Sequence, residues 1–239
     1  MSEETSPLNN VENLLSSNYY FFILTVGFFI FKIINVPNNL FQTKKIHRTD
    51  AYTAIYIGIT IAMMYFINSE RVKKHCQRKN IDELWREVFI STLLPWISIF
   101  CMIYVLLLTF PGWKQPFSNT FGYFVVMFLM GGKSKLISIL ETDSKESTNS
   151  VSFKRILRNE EHLLINDFGL ENLDKFPELV EVHKSRFKES SSPENIKIYN
   201  DLSRLIVIKD YISEFLWFYL TGLFVVTLTN TYINQIVCL

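Results

Sequence analysis

The sequence lacks most of the features that mark a secreted or a nucleic-acid-binding protein. It has only three cysteines in 239 residues, Cys76, Cys101 and Cys238, which is too few for a disulfide framework. It contains no Asn-x-Ser/Thr site, so nothing indicates a glycosylated ectodomain. The net charge is +1, whereas nucleic-acid binding is typical of clearly basic domains, so no nucleic-acid partner is expected.

The first 18 residues contain no basic residue. They carry Glu3, Glu4 and Glu12, whereas a secretory signal peptide has positive charge before its apolar core. We therefore interpret 1–18 as a polar N-terminal tail rather than a signal peptide.

Charge is also nearly absent from several long apolar blocks. A helix of about 20 apolar residues crosses the hydrocarbon core of a bilayer. Within that core the backbone must pair its own polar groups, which favours helix. The sequence therefore predicts an all-α, polytopic helical membrane protein with about five transmembrane helices. The membrane region is 19–140, with spans near 19–36, 51–68, 88–110 and 117–137, and the last transmembrane helix lies in 211–239.

Block four, 117–137, has two open interpretations. Its strongly apolar part, 121–130, is short, and it is followed by Lys133 and Lys135. It is either a full span or a re-entrant or interfacial segment, in which case the protein has four spans. We favour the span, because the tight turn 111–116 after the third span predicts an antiparallel partner.

Residues 141–210 form the one sizeable polar region and predict a small helical extramembrane domain. A helix is expected to begin at Pro193, since serines precede it and proline suits a first turn. No helix breaker separates this region from the last apolar block. One long helix is therefore expected to run from the polar domain into the membrane.

Basic residues in the short loops predict the topology. The loop 69–87 has six and the loop 37–50 has three. Short loops rich in Lys and Arg lie on the cytoplasmic side, which places the loop 69–87 there. With five spans the N-terminus is then inside and the C-terminus outside. The loop 37–50 opposes this arrangement, because its three bases would lie on the outer side. The candidate contacts of anionic lipid headgroups are Arg71, Lys73, Lys74, Arg78 and Lys79. The alternative is that these bases only set the orientation.

A stripe of small residues, Ala54, Gly58 and Ala62, recurs at a spacing of four in the second span. Such a stripe lets another helix approach closely in lipid. It is a candidate helix-packing face, although small residues are common in membrane helices anyway.

Asp210 and Glu214 lie four residues apart at the mouth of the last span. They form either a cation or proton site or an interfacial ion pair. We favour the pair, held by Lys209, Arg204 or the basic loop 69–87. Lys32, the one charge in the first block, does not exclude a span there, since a lysine near the end of a span can snorkel to the headgroups.

No motif predicts an enzyme. The sequence Gly131-Gly132-Lys133-Ser134 resembles the end of a P-loop, but Met127 stands where that motif needs its first glycine. The stretch 119–123 differs in order from a potassium-channel filter. The four histidines are not spaced as zinc ligands. We predict no catalytic, cofactor-binding or metal-binding residue.

Two stretches, 110–123 and 210–222, resemble uncharacterised multi-span membrane proteins encoded by large DNA viruses of protists and algae. The composition, rich in Lys, Asn, Ile and Phe, suits such an AT-rich genome. The resemblance implies a protein of the virion internal membrane, which ties that membrane to the capsid shell. A host endomembrane is the other location considered. The resemblance brings no catalytic residues.

The expected function is structural or scaffolding, with the spans in the bilayer and 141–210 contacting other membrane or capsid proteins. A homo-oligomer is also expected. The alternative is a channel or transporter formed by the helix bundle. Its path would be lined by polar residues of the last block, Thr227, Thr229, Asn230, Thr231 and Asn234. Because the spans carry almost no charge, such a path would work without an ionisable relay.

Overall fold

The structure, a computed structural model, describes residues 7–43, 50–76, 81–139, 165–182, 187–189 and 192–236. The elements in these ranges are helices, which confirms the all-α fold. The chain divides into two compact units. Unit 1 contains Met1–Ile30, Arg48–Phe110 and Phe215–Leu239, and unit 2 contains Phe31–His47 and Pro111–Glu214.

Nine α-helices have both of their ends in the described ranges. They are α1 (Pro7–Ile34), α2 (Leu40–Thr43), α3 (Asp50–His75), α4 (Ile81–Pro95), α5 (Met102–Thr109), α6 (Gln115–Phe117), α7 (Gly132–Ile139), α8 (Phe176–Val182) and α9 (Pro193–Asn234). Wider π-helical turns occupy Trp96–Cys101, Ser118–Gly122 and Val125–Leu129, and 3₁₀ turns occupy Pro111–Lys114 and Leu173–Lys175.

Four helical stretches in the described ranges are long and apolar enough to cross a membrane. They are Leu14–Ile34, Ala51–Lys74, Trp85–Thr109 and Pro193–Asn234. A fifth crossing exists only if Pro111–Leu129 and Gly132–Ile139, bent by 75°, count as one span. The prediction of four to five apolar membrane helices is confirmed. The third stretch continues past Pro95 because a π-helical turn follows the proline directly and accommodates its missing N–H donor.

The interior of unit 1 is aromatic. Phe21, Trp96, Phe100 and Phe218 are fully buried, and the rings of Phe21 and Trp96 lie 5.8 Å apart. A Cβ at Gly222 would collide with the Phe21 ring, so this glycine lets α1 and α9 approach closely. Aromatic packing of this kind adds to the stabilisation that area burial provides.

The ends of three helices meet at one end of unit 1. The Arg71 guanidinium donates hydrogen bonds to Ser17 Oγ (2.7 Å) and Asn230 Oδ1 (2.8 Å). The start of α1, the end of α3 and the end of α9 therefore lie together. Cys76 and Ile233 pack in an apolar cluster next to them. Cys76 is disulfide-bonded, a bridge that the sequence analysis did not predict.

Unit 2 is built around the first half of α9. Most residues of α9 between Tyr199 and Glu214 are buried, and the rings of Phe41 and Tyr199 stack at 4.8 Å. The backbone N–H of Phe41 donates to Asn200 Oδ1 at 2.9 Å. The described part of 141–210 therefore packs with 31–43 and with 111–139, so the division differs from the predicted one.

Helix α9 begins at Pro193 and continues without a break to Asn234, as the sequence predicts. Its 42 residues extend about 63 Å at 1.5 Å per residue, twice the hydrocarbon thickness of about 30 Å. Only part of α9 can therefore lie in the hydrocarbon at once.

Candidate functional site

Unit 2 contains a cluster of buried charged side chains. Lys32, Lys209, Asp210 and Glu214 are each at most 6 % exposed. Lys114 completes the group, with its side chain 12 % exposed. Burying a charge is costly unless it is paired and hydrogen-bonded, so the partners of each group matter. We call these five residues the charge cluster.

Glu214 lies at one end of the charge cluster, between two lysines. Its Oε2 accepts from Lys32 Nζ at 2.5 Å, and its Oε1 accepts from Lys114 Nζ at 3.1 Å. The Lys32 ammonium also lies 4.3 Å from the centroid of the Tyr211 ring, a cation–π contact. The Lys32 ammonium is therefore buried and paired within unit 2. The ammonium turns inward because Glu214 supplies a counter-charge there.

Asp210 joins two segments that are distant in sequence. Its Oδ1 accepts from the Ser118 hydroxyl at 2.6 Å, and its Oδ2 accepts from the backbone N–H of Leu170 at 2.7 Å. The carboxylate thus holds the turn after residue 168 and the π-helical turn at Ser118 against α9. Hydrogen bonds to an ionised acceptor are roughly twice as strong as neutral ones.

Lys209 donates to three oxygens. Its Nζ bonds the backbone carbonyls of Ile165 and Phe168, the second at 3.0 Å, and Asn119 Oδ1 at 3.2 Å. An ammonium has three N–H donors, so these three acceptors satisfy it. Gly169 N donates to Asn172 Oδ1 at 2.7 Å and closes the same turn.

A small polar cavity of about 10 Å³ lies beside the charge cluster. Its lining includes Ser118, Asn119, Lys209, Asp210 and the exposed Glu171. This volume is close to the minimum that holds one water molecule. In the part of the chain that the structure describes, no group of three or more His, Cys, Asp or Glu is placed to hold a metal ion.

The structure places Asp210 and Glu214 together, but with other partners than expected. Glu214 pairs with Lys32 and Lys114, so the expectation that Lys209 or Arg204 holds it is wrong, and part of the other expected partner, the loop 69–87, lies outside the described residues. Arg204 instead donates to Asn38 Oδ1 at 3.1 Å. The sequence signal for the true pairing was the isolation of Lys32 and Glu214, since lone opposite charges in apolar blocks tend to pair with each other.

The small-residue stripe lies on the exposed face of α3. Ala54, Gly58 and Ala62 are exposed, and a Cβ at Gly58 would meet no atom within 4 Å. Tyr56 and Met64 are among the residues that form the buried face of this helix. The stripe therefore does not pack against the described helices of its own chain, and its packing against another helix stays a prediction.

Arg71 is partly buried and hydrogen-bonded within unit 1, so its guanidinium has a structural role there. Lys73 and Lys74 are exposed, which leaves them accessible to headgroups. Arg78 and Lys79 lie outside the described residues.

The five polar residues proposed to line a path do not share one face. Thr229 and Asn230 are buried, whereas Thr227, Thr231 and Asn234 are exposed. The hydroxyls of Thr227 and Thr231 donate to backbone carbonyls four residues earlier in α9. Two of the five hydroxyl or amide groups are thus bonded within the helix, and Asn230 accepts from Arg71 instead.

No protein-family model, no curated protein and no solved structure matches the chain. A functional proposal therefore depends on the geometry and on the sequence resemblance alone.

Proposed function

We propose that this is a structural membrane protein. Unit 1 holds the chain in the bilayer, and unit 2 presents a surface to a protein partner. The observation that carries the proposal is that the charges of the cluster are engaged within unit 2. Lys32 and Lys114 pair with Glu214, Lys209 bonds backbone carbonyls, and Asp210 bonds Ser118 and Leu170.

A conducting or transporting protein needs room for water or a substrate beside its ionisable groups. The cavity beside Asp210 has a volume of about 10 Å³, enough for about one water. Paired buried charges add little net stability, but removing one partner is costly, so such a cluster favours a single arrangement of its segments. We infer that the cluster fixes the shape of unit 2 rather than moving ions.

The partner surface that we propose includes the turn after residue 165 and helix α8. This part of the polar region exposes five carboxylates, and Val182 at its end is 72 % exposed. The carboxylates belong to Asp167, Glu171, Asp174, Glu178 and Glu181. A surface with this charge is complementary to a basic face on a partner. The resemblance to viral proteins supports a capsid protein, or another protein of a viral internal membrane, as that partner.

Zero-length carboxylate–amine cross-linking of the full-length protein in its native membrane tests the proposal. We expect cross-links from Glu178 and Glu181 to lysines of another protein. The variant E178Q/E181Q should lose them, whereas the control D201N, also in unit 2, should retain them. The absence of cross-links from the unmodified protein, or cross-links only from carboxylates other than Asp167, Glu171, Asp174, Glu178 and Glu181, would contradict the proposed surface.

A second candidate function is ion or proton transport. It is favoured by the buried carboxylate of Asp210, which lines the cavity together with the exposed Asp167 and Glu171. Lys32 and Glu214, the two charges near the ends of the first and last apolar blocks, are both buried. A transport function would therefore have ionisable groups to use. Flux through reconstituted liposomes separates the two candidates.

A further inference from the structure

The disulfide of Cys76 has one possible partner within this chain. The chain contains three cysteines, and Cys76 is disulfide-bonded. Cys101 carries a free thiol. A disulfide joins the sulfurs of two cysteines, so the remaining partner in the chain is Cys238, which lies outside the described residues. The described residues near either cysteine indicate which helices such a bond joins.

The end of α9 packs beside Cys76. Cys76 follows the last residue of α3 and lies in an apolar cluster with Val72 of α3, Val88 of α4 and Ile233 of α9. Ile236, beyond the end of α9, packs against the same cluster. The three helices therefore meet around the Cys76 side chain, within unit 1.

The chain beyond α9 is held in place as far as Ile236. The backbone N–H groups of Gln235 and Ile236 donate to carbonyls three residues earlier, at 3.1 Å and 3.2 Å. Such bonds tighten the last turn of a helix. One turn of helix earlier, Arg71 donates to Asn230 Oδ1 at 2.8 Å and ties α9 to the end of α3.

The distance from Ile236 to Cys238 suits a bond to Cys76. Two residues extend at most about 7 Å. The Cα atoms of a disulfide are about 4.4–6.8 Å apart. Because Ile236 already packs in the cluster around Cys76, the second cysteine needs no rearrangement of α9 to reach the first.

Burial opposes a bond between Cys76 and a second copy of the chain. The Cys76 side chain is only 5 % exposed and is surrounded by apolar residues of unit 1. Thiol–disulfide exchange requires access to the sulfur. A cysteine of another molecule would have to open this cluster, whereas Cys238 approaches from the chain that already covers it.

We propose that Cys76 and Cys238 form an intramolecular disulfide, here the α9 clasp, which fastens the end of α9 to the end of α3. The bond closes a loop that contains residues 77–237. In the chain-entropy model a disulfide stabilises more when its loop is long, since it restricts the unfolded chain more. In the reduced protein, the Arg71 contact and the apolar cluster hold this end of unit 1 without a covalent bond.

The α9 clasp forms by oxidation of two thiols. The oxidant is the disulfide of a thiol oxidoreductase. The thiolate of one cysteine attacks that disulfide, and the other cysteine then displaces the mixed disulfide. One S–S bond forms in this chain and one breaks in the oxidoreductase, which takes up the two electrons and two protons and becomes a dithiol. The redox state therefore sets how firmly the end of α9 is held.

Thiol trapping tests the bond. Native membranes that contain the full-length protein are dissolved in denaturant with N-ethylmaleimide and digested with trypsin without reductant. We expect the peptides 75–78 and 210–239 as a covalent pair that reduction separates. Cys101, a free thiol, is the internal control and should carry maleimide. Maleimide on Cys76, or a covalent dimer that reductant dissolves, would overturn the proposal.

Thermal unfolding in mild detergent tests the effect of the clasp. In a C101S protein, reduction should lower the unfolding temperature by about 4–16 °C and speed amide exchange at 230–236. The control C101S/C238S should behave like reduced C101S and should not respond to reductant. An unchanged unfolding temperature and unchanged exchange in C101S, or a response in C101S/C238S, would overturn the proposal.

Discussion

Replacing Glu214 with glutamine removes one negative charge from between two buried ammonium groups. The side chains of Lys32 and Glu214 are 2 % and 8 % exposed, and that of Lys114 is 12 % exposed. In E214Q the amide keeps the shape of the side chain and one acceptor oxygen. The two lysines, however, remain buried without a counter-charge.

The expected cost follows from this burial. Breaking a buried ion pair by removing one partner costs about 3–5 kcal/mol, because it leaves an uncompensated charge. The ion pair Lys135–Asp201 is the matched control. Like the pair Lys114–Glu214, it joins the residues of 111–139 to α9, but its side chains are 34 % and 38 % exposed. Exposed pairs contribute about 0–1 kcal/mol, so D201N should be nearly neutral.

Thermal unfolding of the full-length protein in mild detergent measures the difference. At about 2–4 °C per kcal/mol for a chain of this size, E214Q should unfold about 6–20 °C earlier than the unmodified protein. D201N should unfold within about 4 °C of it by the same conversion. If E214Q and D201N unfolded at the same temperature, the assignment of Glu214 as the buried counter-charge of two lysines would be refuted.

Three other predictions concern the packing of the helices. G222A should destabilise unit 1 by about 1–3 kcal/mol, because the Phe21 ring must move, whereas the control G58A meets no atom and should be neutral or slightly stabilising. G131A should cost about 1–2 kcal/mol, since alanine is strained at a φ of 70°, and a shift in thermal unfolding measures it. R71A should cost about 1–3 kcal/mol and speed amide exchange near the ends of α1 and α9, because Ser17 and Asn230 lose a shared donor. Unchanged exchange in R71A would contradict this contact.

Local sequence patterns are sufficient to predict the helices. The apolar blocks predict the spans because a bilayer demands about 20 apolar residues and internal backbone pairing. The start of α9 at Pro193 follows from preceding serines and a proline in the first turn. The continuity of α9 from polar region to apolar block follows from the absence of a breaker.

The partners in the charge cluster could not be predicted from local patterns. Lys32 and Glu214 are separated by 182 residues, and only the folded chain brings them together. Lys209 and Arg204 are close to Glu214 in sequence, but their side chains leave α9 in other directions and bond Ile165 and Asn38. Sequence proximity on a helix therefore suggested the wrong pairing.

The turn 111–116 suggested an antiparallel fifth span, and the structure shows why that argument is incomplete. Within unit 2 the residues after this turn run antiparallel to the first half of α9, since Lys114 pairs with Glu214 and Lys135 with Asp201. The turn does not make the following residues one straight span, because Pro111–Leu129 and Gly132–Ile139 meet at 75° and Gly131 has a φ of 70°.

The central claim is that the charge cluster holds unit 2 together and does not move ions. Proton and cation flux into liposomes containing the purified full-length protein tests it most directly. The account predicts flux equal to that of protein-free liposomes. Saturable flux that D210N or E214Q abolishes, and that D201N leaves intact, would contradict it and establish transport as the function.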